Sequence, residues 1–178
     1  MKQFILLVAI SLCSTVSLIA CTCRNVPPDK VEEYRSRDLK TYQAVFYGKA
    51  IGFEYREGVI DDFSEHLLKI KGGNVTLKTK LVKFEVKRWW NMSMGNVAFI
   101  ATDDVIFSDP SQLLSSGVSV GGCDYNFKEG ETYVVYATGK ADALRTSSCS
   151  MTFKVEPKAK LPRFLSHGKK PNKTFSDR

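Results

Sequence analysis

The sequence predicts a mainly β fold of barrel type, and three observations carry that prediction. Residues 79–90 alternate apolar and charged side chains, with Val82, Phe84 and Val86 set against Lys83, Glu85 and Lys87, the period of a half-buried strand. The run Tyr133-Val134-Val135-Tyr136-Ala137 is apolar on both faces, as in a barrel strand covered outside by a helix. Four cysteines remain once an N-terminal leader is removed, an even number that can staple a small secreted domain.

The leader occupies residues 1–20. Lys2 supplies a positive start, Phe4–Ile10, Leu12 and Val16–Ile19 supply the apolar stretch, and Ala20 is the small residue before cleavage. A membrane span over the same residues would reach barely the ~17 residues needed to cross hydrocarbon, and Ser11, Ser14, Thr15 and Ser17 interrupt it. Secretion to the extracellular space or matrix is therefore expected, with Cys21 as the first residue of the mature chain and Cys13 lost with the leader. The segment Leu18-Ile19-Ala20-Cys21 also reads as a bacterial lipoprotein box, which would lipidate Cys21 and strand one of Cys23, Cys123 and Cys149. A direct Cys21 to Cys23 bridge closes too tight a ring. Two long-range pairings remain open, and either clamps the N-terminus to segments roughly 100 residues or more downstream, at ~4 to 5 kcal/mol per bridge on chain-entropy reasoning. The plain reading of such cysteines is a set of staples.

The elements follow in order. Pro27-Pro28-Asp29 with Glu32 predicts a helix start with a capping box, and Val31, Tyr34, Leu39 and Tyr42 carry the helix to about residue 42. Strands are expected over 44–53, 79–90, 97–107 and 132–138. Gly72-Gly73-Asn74 would turn the first hairpin and Lys128-Glu129-Gly130-Glu131 a second corner. Asp109-Pro110-Ser111 through Gly117 reads as a second short helix. Removal of residues 1–20 from the 178 leaves 158, enough for one domain with its own core. Loss of Lys2 takes the formal charge from +7 to +6, which favours acidic polysaccharide or anionic surfaces; nucleic acid is a poor partner for a secreted protein. Residues 154–178, with Lys154, Lys158, Lys160, Arg163, Lys169, Lys170, Lys173 and Arg178 among three prolines, read as a flexible, solvated basic tail able to attract acidic glycosaminoglycans.

Catalytic chemistry is thin, and the chain is not expected to be an enzyme. His66 and His167 have no partner at metal-ligand spacing, no GxSxG, HExxH, P-loop or dinucleotide motif occurs, and paired cysteines leave no thiol nucleophile. Asp61-Asp62 and Asp103-Asp104 are adjacent acids that a strand would point opposite ways, and a solvated turn explains them equally. No cofactor is implied. Asn74, Asn91 and Asn172 head glycosylation sequons.

Taken together, Cys21-Thr22-Cys23 at a mature N-terminus, the strand Ala44-Val45-Phe46-Tyr47-Gly48, Cys123-Asp124-Tyr125 and Leu144-Arg145-Thr146-Ser147-Ser148-Cys149 resemble the N-terminal netrin-like domain of the tissue inhibitors of metalloproteinases. The resemblance covers residues 21–153. It implies a five-stranded, OB-fold-like closed barrel with one or two flanking helices, bridges Cys21–Cys123 and Cys23–Cys149, and inhibition of zinc metalloendopeptidases of the matrix metalloproteinase type. The α-amine and carbonyl oxygen of Cys21 would chelate the target's catalytic zinc at the position kept open for water. An α-amine, with a reference pKa near ~7.7 to 8, offers a neutral lone pair at physiological pH far more cheaply than lysine. By the same resemblance Thr22 would enter the primed-side pocket, Cys23 and Arg24 would continue along the cleft, and Ser119, Val120, Gly121 and Gly122 would form a second edge. Arg24 and Asn25 replace the family's usual apolar start, and Gly121-Gly122 replace bulkier residues, so target range would differ. Two other classes fit the same residues: a netrin-like matrix or ligand-binding module without inhibition, and a bacterial lipoprotein lipidated on Cys21.

Overall fold

The structure is a computed structural model, and it describes residues 23–57, 77–92, 94–107, 123–140 and 143–172. Six strands, β1 (Ala44–Glu57), β2 (Leu77–Trp90), β3 (Val97–Phe107), β4 (Thr132–Lys140), β5 (Ala143–Arg145) and β6 (Phe153–Lys154), follow a helix α1 (Val31–Asp38). β1 pairs antiparallel with β2 and, through its first half, with β4; β2 pairs with β3; and β5 lies parallel to β3 and antiparallel to β4. The pairings β1–β2–β3–β5–β4–β1 thus return to their start, giving a ring of five strands with β6 attached outside the ring to β4. β5 and β6 are too short for alternation to announce them, yet β5 supplies the link between β3 and β4.

The ring sorts its side chains by parity. Phe46, Ala50, Val82, Phe84, Ala98, Ile100, Tyr133 and Val135 point inward with Phe127, while Val45, Val134 and Tyr136 point outward, so β1 and β4 are buried on both faces. The inner aromatics meet edge to face: the ring centroids of Phe46–Phe84, Phe84–Phe127 and Phe127–Tyr133 lie 5.2, 5.0 and 5.0 Å apart, geometry that adds about 0.5–1.5 kcal/mol per pair to area burial. A bulge keeps β2 in step with its partner. Tyr47 opposes Arg88 and Gly48 opposes Val86, so Lys87 is the extra residue, and the shift turns Trp89 inward and Trp90 outward. Gly48 is required there, since a Cβ would stand 2.8 Å from the Glu85 carbonyl oxygen.

The structure departs from the sequence expectations in three places. Pro28–Lys30 forms a 3-10 turn closed by Lys30 N donating to Pro27 O, which draws Asp29 inside the turn; no side chain caps α1, and the expected capping box is not formed. The helix ends at Asp38, and Leu39 and Tyr42 lie beyond it, packed on the outer cluster. The outer face of β4 is covered less by the helix than by the C-terminal segment, for residues 155–172 are not a solvated tail. Val155 N donates to Thr132 O, Leu165 is wholly buried against Val45, Trp90, Val134 and Tyr136, and Trp89 and Lys169 exchange both backbone hydrogen bonds at 2.8 Å. Proline and charge content suggested solvation; Leu161, Phe164 and Leu165, spaced among the basic residues, supply the apolar surface that anchors the strap. The expected second helix, the Gly72-Gly73-Asn74 turn, Asp61-Asp62 and His66 lie outside the described residues.

Candidate functional site

Three cysteine-bearing segments converge at one rim of the ring. Cys23 is disulfide-bonded to Cys149 with their Cα atoms 4.8 Å apart across 126 residues of sequence. Ser148 N donates to Cys123 O at 2.6 Å, tying the Cys123 segment to the turn that carries Cys149. Cys123 is itself disulfide-bonded, to a partner outside the described residues. Cys23 and Arg24 are exposed.

Each segment is fixed from below. Thr146 Oγ1 donates to Tyr136 O at 2.8 Å and lies within hydrogen-bond distance of Ser150 Oγ (2.8 Å) and Thr152 Oγ1 (3.0 Å); Thr152 Oγ1 in turn accepts from Tyr136 N at 3.0 Å. This hydroxyl cluster satisfies backbone groups of β4 that the short β5 leaves unpaired, and so pins the Cys149 turn to the ring. On the other side Asp124 Oδ2 accepts from Asp103 N, and the Asp103 carboxylate pairs with Arg145. Asp103 therefore sits on a strand in an ion pair rather than in a solvated turn. Asp103, Asp124, Arg145, Thr146 and Ser150 line a cleft of about 400 Å3 together with Tyr42, Cys123 and Thr138.

The helix holds the incoming strand. Tyr34 carries the Arg37 guanidinium at 4.2 Å and the Arg24 guanidinium at 5.5 Å from its ring centroid, so Arg24 is positioned one residue beyond the disulfide. Arg35 stacks 3.7 Å from the Phe153 ring centroid, and burial pushes its guanidinium below the ordinary arginine value. Tyr136 Oη donates to Arg35 O at 3.1 Å; burial raises that phenol well above its usual value. Asn91 closes the helix end onto β2: its φ is 67°, and Nδ2 donates to Tyr42 O at 2.8 Å and to Leu39 O. The nitrogen that a glycan would occupy is thus engaged in folding the chain. Asn172 is exposed, and Asn74 lies outside the described residues.

Of the residues singled out from sequence, Cys23, Arg24, Cys123 and Cys149 are brought to this rim, whereas Cys21, Thr22, Ser119, Val120, Gly121 and Gly122 lie outside the described residues. Sequence reasoning named Tyr34, Asp103, Asp124 and Thr146 but gave none of them a role at this rim, and it passed over Ser150 and Thr152 altogether. The density of hydroxyls around Cys149 was the available signal. Among the described residues no three His, Cys, Asp or Glu side chains gather to hold a metal ion, and no helix is long and apolar enough to cross a membrane. No protein-family model matches the chain, and no curated protein matches it.

Proposed function

We propose that the protein is a secreted inhibitor of zinc metalloendopeptidases, built as an OB-type barrel of the netrin-like class found in tissue inhibitors of metalloproteinases. The observation that carries this reading is the Cys23–Cys149 bond at a rim where the Ser148–Cys123 hydrogen bond places a third, disulfide-bonded cysteine alongside. With Cys23 and Cys149 paired to each other, the cysteines left for Cys123 are Cys13 and Cys21, and removal of the leader leaves Cys21. A Cys21–Cys123 bridge then holds the mature N-terminus rigidly on the rim. Its thiol is structural; its α-amine and carbonyl are free to chelate the target's zinc, where they replace the metal-bound water and stop hydrolysis.

Rigidity is what makes the arrangement effective. A wedge already in its bound shape loses little conformational entropy on docking, and the hydroxyl cluster, the Asp103–Arg145 pair and the Tyr34 platform all restrain segments next to it. Thr22 enters the primed-side pocket, Cys23 and Arg24 extend along the cleft, and residues 119–122 form the second edge. The test is the secreted protein with one alanine added before Cys21, assayed against a panel of matrix-type zinc endopeptidases. Inhibition is expected to disappear while the fold survives. Equal inhibition by the extended protein would sink the chelation mechanism, and a lipid found on Cys21 by mass spectrometry would replace the whole reading with a lipoprotein.

A further inference from the structure

We propose that the C-terminal strap and the adjoining part of β2 form a fixed binding site for a sulfated, linear polysaccharide, separate from the cysteine rim. The strap carries Lys158, Lys160, Arg163, Lys169 and Lys170, all exposed, and its one carboxylate, Glu156, is paired with Lys154 at 3.5 Å. None of those five cations has a carboxylate partner among the described residues.

Anchoring turns this composition into a site. Lys169 is bridged to Trp89, Gly168 lies so close to Trp90 that a Cβ would stand 2.7 Å from its ring, and Arg88 Nη1 donates to Ser166 O at 3.3 Å. The strap is therefore laid against β2 next to Lys87 and Arg88, adding strand cations to its own. At its other end the turn Glu156–Ala159 borders a groove of about 320 Å3 also lined by Tyr47, Thr132, Lys154 and Glu131, where Lys154 pairs with both Glu131 and Glu156, and the Lys87 ammonium stands 5.9 Å from the Tyr47 ring centroid. Five exposed cations without carboxylate partners on a packed segment, next to Lys87 and Arg88 of β2, suit a linear polyanion, and because the backbone that carries them is already held in place, binding forgoes part of the ordering cost that a loose tail would incur.

A lipid surface fits less well. Membrane-docking faces combine cations with inserted apolar side chains. The large exposed hydrophobics among the described residues, Ile51, Phe53 and Tyr55, stand on the second half of β1 and none belongs to the strap.

The experiment is equilibrium binding of the whole secreted protein to a heparin octasaccharide over a series of salt concentrations. The variant Lys158→Gln/Arg163→Gln/Lys169→Gln/Lys170→Gln should keep its melting temperature and lose affinity by about tenfold or more, with a shallower dependence on salt. A control, Lys30→Gln/Lys40→Gln/Lys78→Gln/Lys140→Gln, removes the same charge elsewhere and should lose less than about twofold. Equal losses in the two variants would overturn the site, because net charge alone would then account for binding. A single-stranded oligonucleotide of matched charge, or anionic vesicles, binding more tightly than the octasaccharide would overturn the ligand class. Alanine added before Cys21 should leave heparin affinity unchanged, so this result stands apart from the outcome of the inhibition assay.

Discussion

Leu165→Ala tests whether the C-terminal segment belongs to the fold. Leu165 is wholly buried in the outer cluster with Val45, Trp90, Val134 and Tyr136. The substitution removes three carbons, worth about 0.8 kcal/mol each in transfer, and leaves a cavity. Leu161 and Phe164 are only partly buried beside it and can settle into part of that space. The loss should therefore fall in the lower half of the usual range for Leu→Ala, about 2.5 to 3.5 kcal/mol. In urea this moves the midpoint down by roughly 1.5 M at an unchanged slope, and in a thermal scan it lowers the melting temperature by about 6 to 12 °C. Trypsin gives a second reading, since Lys158, Lys160 and Arg163 should be cut faster once the strap lifts. A change under about 0.5 kcal/mol, the usual cost of a surface substitution, would refute the packed strap.

Two further outcomes follow from the same structure. Replacing Cys23 and Cys149 by serine while the proposed Cys21–Cys123 bridge stays in place opens a loop of roughly 28 residues in the unfolded chain, since that bridge already joins the two ends of the longer span, and the chain-entropy relation gives about 3.5 kcal/mol; a loss under about 1 kcal/mol in chemical unfolding would show that the Cys23–Cys149 bond does not restrain the unfolded ensemble. Tyr133 should give the protein an alkaline limit. Burial first, then the hydrogen bond from its Oη to Glu131 Oε2, pushes its phenol up to about 12, against about 10 in the unfolded chain. The neutral phenol is the form the fold favours, so this contribution is intact below about pH 10 and is lost as pH rises towards 12. Unfolding free energy should fall over that interval, and less steeply in Tyr133→Phe; identical slopes in parent and variant would rule the assignment out.

Much of this architecture was legible in residue order, because a strand's pattern is local. The alternation of Val82, Phe84 and Val86 with charged neighbours located β2, the doubly apolar run 133–137 marked β4 as covered on both sides, and Val97 and Phe107 bound β3 as expected. Patterns that depend on a neighbour were not legible. β5 has three residues and exists because β3 and β4 pass on either side of it. Asp103 could be read from sequence as a strand residue or as half of a solvated acidic pair, and it is an ion-pair partner only because the parallel register of β3 and β5 sets Ala101 opposite Arg145. At the candidate site the cysteines could be counted from sequence, but spacing left two pairings open; the Cys23–Cys149 bond is the one the family resemblance implied. Closing a bridge requires Cα atoms within about 7 Å, and no spacing along the chain supplies that distance.

The sequence by itself determined a mainly β chain whose apolar periodicity buries β1, β2 and β4, together with a cysteine set able to clamp its N-terminus. Tertiary structure alone decided that Cys23 meets Cys149, that Ser148 reaches Cys123, and that a stretch rich in lysine and proline becomes a strap. The reason is the range of the forces involved: periodicity is written between residues two apart, whereas a disulfide, an ion pair and a buried leucine each need a partner that only the folded ring brings near.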